Sequence, residues 1–392
     1  MSLLDKVFDF TQADEVRALG HYPYFRVISS EQDTEVVVNG KRMLMMGSNS
    51  YLGLTNHPRV KEASINAIKK YGSGCAGSRF LNGTLDIHIE LEAELAKLVG
   101  KDASLAFATG YQSNLGAIQS MVARNEYIVT DKLDHASIID GCQLSQGKML
   151  RYAHNNMEDL ERVLKKIEGK NSLIAVDGIF SMEGDIAPVA EMCELAEKYG
   201  STIMVDEAHS LGVLHETGAG AAMAAGCSDR VELIMGTFSK SLASVGGFIA
   251  GSNQVMDFMK HKARSLIFSA SLPPASTASV LEALKIMKEE PERIEKLWEN
   301  TRFMRENFIN MGFNIGTSCT PVIPLHVGRM ENAFNMWKML DEEGLFINPV
   351  VPPAVPPNDT LIRTSFMATH TRAQLTEALE KFEKIGKIIG II

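Results

Sequence analysis

The chain has 392 residues, of which 45% are hydrophobic, 22% charged and 7% aromatic, which excludes disordered, collagenous and membrane-embedded classes and provides for a large core. Asp and Glu outnumber Lys and Arg by 48 to 39, and the formal net charge of -9 argues against general nucleic-acid binding, which rests on phosphate neutralisation. No apolar run approaches the roughly 18 residues that span a bilayer, the first residues lack the basic leader and apolar core of a secretory signal, and Cys75, Cys142, Cys193, Cys227 and Cys319 form no C-x-x-C pair, so a cytoplasmic location with reduced thiols is expected.

An N-terminal segment over residues 1–56 precedes a helix predicted over 58–71, with Asn56 as its cap and Pro58 in its first turn. From about residue 100 to 251, short apolar runs alternate with amphipathic stretches. Segments 104–108, 127–130, 173–177, 202–206, 233–237 and 247–250 read as strands buried on both faces, while 156–167 and 189–199 have helical spacing. Strand then helix, repeated, predicts a mainly parallel sheet covered by helices. Beyond it, a helical region over 273–311 with a break at Pro291 leads to a strand at 322–327, a helix at 331–343, a Pro-rich turn at 352–357, a strand at 361–366 and a helix at 372–388. The expected division is the 1–56 segment, a large domain over 57–285 and a smaller α+β domain over 286–392.

Gly72, Gly74 and Gly77 match G-x-G-x-x-G, but a helix precedes them and Glu92 and Glu94 fall on the next helix, so the dinucleotide reading is rejected. No Walker loop, G-x-S-x-G elbow or H-E-x-x-H occurs. The informative residues follow the buried strands, where open α/β sheets bind ligands. Asp206 ends one strand; there it can serve as a metal ligand, a general base or the partner of a ring nitrogen, or merely cap the next helix. Lys240 follows another strand and is flanked by Thr237 and Ser239, a setting for a Schiff base beside phosphate donors. Gly110 and Tyr111 lie at a strand, turn and helix start suited to an anion. His135 follows a fourth strand; it offers a flat ring for stacking, or is only a satisfied loop histidine. A lysine aldehyde trap, an acid for a pyridine nitrogen, phosphate donors and a stacking ring together describe a pyridoxal 5'-phosphate site.

The stretches around Asn49 to Leu54, Gly72 to Gly83, Thr109 to Asn114, Asp134 to Ser137, Asp177 to Asp185, Val205 to Ser210 and Thr237 to Lys240 resemble, in order, the motifs of the α-oxoamine synthases. These are fold-type I pyridoxal-phosphate enzymes, with a seven-stranded, mainly parallel sheet, that condense an amino acid with an acyl-CoA and lose carbon dioxide. The resemblance runs from about residue 20 to 385. It implies that Lys240 carries the cofactor, Asp206 pairs with the ring nitrogen, His135 stacks on the ring, His209 reaches its 3-hydroxyl and Ser181 lies close by. Gly110, Tyr111, Thr237 and Ser239 would hold the phosphate, completed by Ser269 and Ala270 from a second subunit of a homodimer. Arg363 matches the arginine that binds the amino-acid carboxylate, its planar fork suiting that group, although a strand arginine at the surface would look the same; Asn49 and Ser78 are further substrate-side candidates. Residues 352–356 resemble a mobile loop of the family, with Val355 where its pattern has threonine. The wording around His88, Met235 and Asn348 points to the branch that takes L-serine and a long-chain acyl-CoA, with glycine- or alanine-using synthases as the alternative. Lys260, Lys262 and Arg264 form a basic cluster that could meet CoA phosphates but reads better as a solvated helix face. A lipid-like product leaves room for peripheral contact with the inner membrane.

Overall fold

The computed structural model describes residues 2–352, 354–356 and 358–392, so Met1 of the N-terminal segment and Pro353 and Pro357 of the Pro-rich turn lie outside the described residues. Seven strands form one sheet in the order Ala103–Phe107, Gly247–Gly251, Leu233–Thr237, Thr202–Asp206, Ser172–Asp177, Tyr127–Asp131 and Lys148–Tyr152. Gly247–Gly251 is antiparallel to both neighbours, and the other pairings are parallel. Alternate residues serve the two faces: Ile174, Val176, Ile203, Val205 and Ile234 join one apolar core, and Leu173, Ala175, Met204, Leu233 and Met235 join another. Lys148–Tyr152 is absent from the strands read in the sequence. It is an edge strand, exposed or half-buried until Tyr152, so no apolar run marks it.

The helices follow the spacing closely. Val189–Tyr199 ends at Gly200 in the left-handed region with φ 65°, and the long helical region divides into Pro274–Glu289 and Glu292–Met311 around Pro291. One cap differs from expectation. His57, in extended conformation, accepts the Arg59 N–H at 3.3 Å and caps Pro58–Tyr71, while Asn56 Oδ1 accepts Lys61 Nζ at 2.9 Å and its amide donates to Asp33 Oδ2 at 2.9 Å.

A third core gathers Met304, Phe308, Ile323, Leu325, Ile362, Phe366 and Phe382, and Leu44 and Met46 of the N-terminal segment pack into it as well. Its strands are Val322–Gly328, Thr360–Ser365 and Asn348–Val350, all antiparallel. Glu35–Val38 and Lys41–Met45 pair with one another, and Lys41–Met45 pairs with Leu345–Phe346. The N-terminal segment thus links this core to the one that holds Ile174 and Val205, to which Tyr51, Leu52 and Leu54 belong. Residue 285 lies inside the Pro274–Glu289 helix. No described helix is long and apolar enough to cross a membrane.

Candidate active site

A cavity of about 230 Å³ opens at the carboxyl ends of the central strands, and its lining includes Gly110, Tyr111, His135, Asp177, Asp206, His209, Thr237, Ser239 and Lys240. Parallel pairing sets this up: Asp177 and Asp206 end adjacent strands as register partners, and Leu233–Thr237 beside them leads directly into Ser239 and Lys240. Nine of the residues singled out in the sequence or lying beside those motifs therefore converge from five separate segments.

The Lys240 amine is half-buried, and desolvation pulls its pKa down to about 8, against the opposing pull of Asp206 and Asp177. Asp206 is buried at 3% exposure. Its Oδ2 accepts the Asn114 amide at 2.7 Å and its Oδ1 accepts the Ala208 N–H at 2.8 Å, which fixes the orientation of the carboxylate. Asp177 accepts the His135 N–H at 2.8 Å, and burial, then the neighbouring Asp206 charge, holds its pKa well above the usual carboxylate range.

His135 starts the Ala136–Leu144 helix, its Nδ1 accepting the Ser137 N–H at 3.2 Å, which leaves Nε2 for the ring proton. Desolvation in the cavity lowers its pKa, with Asp206 pulling the other way. Buried His209 meets the Tyr51 hydroxyl at 2.7 Å through Nδ1. Desolvation, then the nearby cations Lys240 and Arg363, holds the pKa of His209 well below the histidine range, so the ring is neutral. Burial raises the Tyr51 pKa, so the phenol keeps its proton and donates it, and the His209 proton sits on Nε2.

Across the cavity, Gly110–Met121 begins with Thr109 as cap, its Oγ1 accepting the Gln112 N–H at 3.1 Å. The N–H groups of Gly110 and Tyr111 are first-turn donors without an intrahelical carbonyl. Only glycine fits at 110, where a Cβ would meet Thr237 Oγ1 at 2.7 Å. Thr237 and Ser239 hydroxyls lie 3.0 Å apart beside this helix start, and the Tyr111 hydroxyl donates to Asp140. An amine, a fixed carboxylate, a flat imidazole and an anion cradle of helix N–H and hydroxyl groups around one ring-sized cavity fit pyridoxal phosphate.

Arg363 lies outside the cavity lining, on Thr360–Ser365 in the small sheet. Its Nε donates to the Ser181 carbonyl at 2.7 Å and its Nη2 to Asn49 Oδ1 at 3.1 Å, leaving part of the fork free. Ser181 thus meets Arg363 through its backbone and is not among the cavity residues. Ser78 is buried with its hydroxyl unpartnered. Ser269 accepts the Gln112 amide at 3.0 Å within its own chain, and neither it nor Ala270 lines the cavity. Val355 packs with Val350 and Leu361. Sequence reading passed over Asp177, Asn114, Ser137 and Tyr51 as site residues; Asp177 alone carried a usable signal, since it ends a buried strand as Asp206 does.

Residues 41–382 match the model of the family described as aminotransferase class I and II. The chain is 54% identical over 386 residues to a serine palmitoyltransferase of Sphingobacterium spiritivorum, covering 98% of this chain and 97% of the relative. It is 41% identical over 393 residues to an 8-amino-7-oxononanoate synthase of Thermoanaerobacter pseudethanolicus, covering 100% of both. Among solved structures, the Sphingomonas wittichii serine palmitoyltransferase superposes with a TM-score of 0.96 at 35% identity over 100% of both chains. A high-resolution structure of SPT with PLP internal aldimine superposes with a TM-score of 0.97, also at 35% identity and 100% coverage. The architecture is that of a fold-type I pyridoxal-phosphate transferase.

Proposed function

The chain belongs to the class I and II aminotransferase family, in its α-oxoamine synthase branch, and from that premise we propose that it condenses L-serine with palmitoyl-CoA. The products are 3-ketodihydrosphingosine, CoA and carbon dioxide, the first step of sphingolipid synthesis. Pyridoxal phosphate supplies an aldehyde for the amino group and a cationic ring that accepts the electron pair of the broken Cα–H bond.

Lys240 is the residue that would hold that aldehyde, and its free Nζ would take up the Cα proton, a role open to an amine whose pKa is near 8 rather than at the ordinary lysine value. Asp206, held in aim by Asn114 and the Ala208 N–H, would keep the ring nitrogen protonated. His135 would stack on the ring, and His209, whose Nδ1 is taken by Tyr51, would have its Nε2 proton to offer the ring hydroxyl. Gly110, Tyr111, Thr237 and Ser239 hold the phosphate, together with Ser269 of the partner subunit and Ala270 of the partner subunit, so the working unit is a homodimer. Arg363 grips the serine carboxylate with the part of its fork left free by Ser181 and Asn49, until that carboxylate is lost as carbon dioxide after the new carbon–carbon bond forms. Free thiols throughout fit a cytoplasmic enzyme that hands a lipid-like product to a membrane.

The observation that carries the reading is a lysine of lowered pKa sharing one cavity with a buried, doubly hydrogen-bonded aspartate. The test is a product assay by mass spectrometry, with serine, glycine and alanine each paired with acyl-CoAs of several lengths. Serine with a long chain is expected to give the 3-keto product. The 41% identity to an 8-amino-7-oxononanoate synthase favours a second reading, an α-oxoamine synthase that takes alanine or glycine and a different acyl-CoA; turnover of those pairs and none with serine would replace the first.

A further inference from the structure

His154 lies just past the Lys148–Tyr152 strand, outside the cavity lining, and the chemistry above leaves it without a task. Its ring bridges two carboxylates. Nδ1 is 3.0 Å from Asp131 Oδ1, at the end of Tyr127–Asp131, and Nε2 is 2.8 Å from Asp185 Oδ2, in the loop after Ser172–Asp177. An imidazole with acceptors at both nitrogens donates to both only when protonated. Burial opposes that charge, but the hydrogen bonds to Asp131 and Asp185 outweigh it and push the pKa up to about 10. Asn155, at a left-handed φ of 49°, reinforces the clamp: its N–H donates to Asp131 Oδ2 at 2.8 Å and its amide to Asp185 Oδ2 at 2.9 Å.

The clamped loop is a small closed excursion. The Phe180 N–H donates to the Asp185 carbonyl at 3.1 Å and the Ala187 N–H to the Gly178 carbonyl at 3.1 Å, while the Phe180 ring stands edge-on to His154 with centroids 4.5 Å apart. At its tip, the Ser181 carbonyl accepts Arg363 Nε at 2.7 Å. Its far flank presses on the small sheet: Gly184, at φ 70°, leaves no space for a side chain, since a Cβ would lie 2.1 Å from the Val322 carbonyl oxygen, and its own carbonyl accepts the Thr320 hydroxyl at 2.8 Å. Val322 starts the strand that pairs with the strand of Arg363. The loop is therefore a wedge between the sheet that holds the floor of the cavity and the strand that holds Arg363, and His154 fastens it from the floor side.

We propose that His154 is a positioning residue for amino-acid binding: by pinning residues 178–187 to the Tyr127–Asp131 strand it sets the Ser181 carbonyl, and through it the guanidinium of Arg363. This rests on the reading of Arg363 as the carboxylate grip. The test uses the pyridoxal-phosphate-loaded protein carrying His154→Gln, whose amide cannot donate to both carboxylates from the same positions, and Asp185→Asn, which removes one of the two charges at constant shape. Three quantities are read: visible cofactor absorbance, the serine dissociation constant by spectral titration, and kcat at saturating serine. For His154→Gln, absorbance and kcat should stay within about threefold of the parent while the serine constant rises about tenfold or more, the signature of a displaced binding group rather than lost chemistry. Asp185→Asn should shift the serine constant in the same direction, and carries the test alone if His154→Gln does not fold. An unchanged serine constant, or a rise matched by equal loss of cofactor binding, overturns the proposal and leaves the clamp a purely structural one. Arg363→Ala separates the two readings. If it abolishes serine binding while the clamp variants bind normally, only this inference fails; if it binds serine normally, the carboxylate grip itself is wrong.

Discussion

The floor of the cavity and its rim are built in different ways. Asp177 and Asp206 are ladder partners, Thr237 ends the strand beside them and Ser239 and Lys240 follow it, so backbone hydrogen bonds fix the spacing of the floor. The rim has a ladder of its own, in which Arg363 pairs with Pro324 and Asn348, but among the described residues none of its strands pairs with the floor sheet. Arg363 is aimed by a carbonyl 182 residues away and an amide 314 residues away, each belonging to a loop that must first be packed. A floor substitution should therefore remove a chemical group and leave its neighbours where they are, whereas a rim substitution should loosen a binding geometry and leave the chemistry intact.

The largest effect should come from Lys240→Ala. The variant is expected to fold, to lack the visible absorbance of a lysine-bound cofactor, and to lose turnover by about 10³-fold or more, in the range that a lost proton-transfer group costs; absorbance and product assays decide it, and full activity would remove Lys240 from the floor. Arg363→Ala should keep the absorbance yet weaken serine binding by about 100-fold, as expected when charged hydrogen bonds to a carboxylate are lost. Spectral titration with serine checks it. A variant that instead lost the cofactor would erase the distinction between the two regions.

The same contrast governs what could be read from the sequence. Six strands of the large sheet announced themselves as doubly buried apolar runs, and the polar residues that end them mark the floor. Lys148–Tyr152 gave no such run because an edge strand is half wet. Asp177 was legible by the rule that found Asp206, since it too ends a buried strand, although a strand-end acid is also a common cap. Asn114 and Tyr51 were not legible. Each matters through a partner 92 or 158 residues away in the chain, and no periodicity encodes a contact made only by tertiary packing. Arg363 belongs to the same class, since its strand looks like any other and only the resemblance to a known family singled it out. The sharing of a core between Leu44, Met46 and the C-terminal strands is likewise invisible in local pattern.

A subtler check on the floor is the pH dependence of cofactor capture by the cofactor-free protein. Lys240 attacks an aldehyde only as the neutral amine, and burial puts its pKa at about 8. The neutral fraction grows as pH rises, so the rate of absorbance growth on mixing should climb about tenfold per pH unit below about pH 7.5 and level off once pH exceeds about 8.5, whereas a solvated lysine would keep climbing to about pH 10. A profile still rising beyond about pH 9 would mean that the amine is in water and the floor is more open than its geometry indicates.

Asn49→Ala should have the smallest effect and is the sharpest probe of the rim. Asn49 Oδ1 holds Arg363 Nη2 at 3.1 Å, and although Arg363 is buried, Asn49 is half-buried, so water entering the space its amide leaves can take over the lost hydrogen bond. The net cost should then be about 0.5–1 kcal/mol, roughly a twofold to fivefold weaker serine affinity, with kcat at saturating serine unchanged. The Ser181 carbonyl remains as the second tether, which is why the loss stays far short of that in Arg363→Ala. Equal losses in the two variants would mean that Asn49 touches the substrate directly, and the rim would then be a pair of binding groups rather than one arginine and its supports.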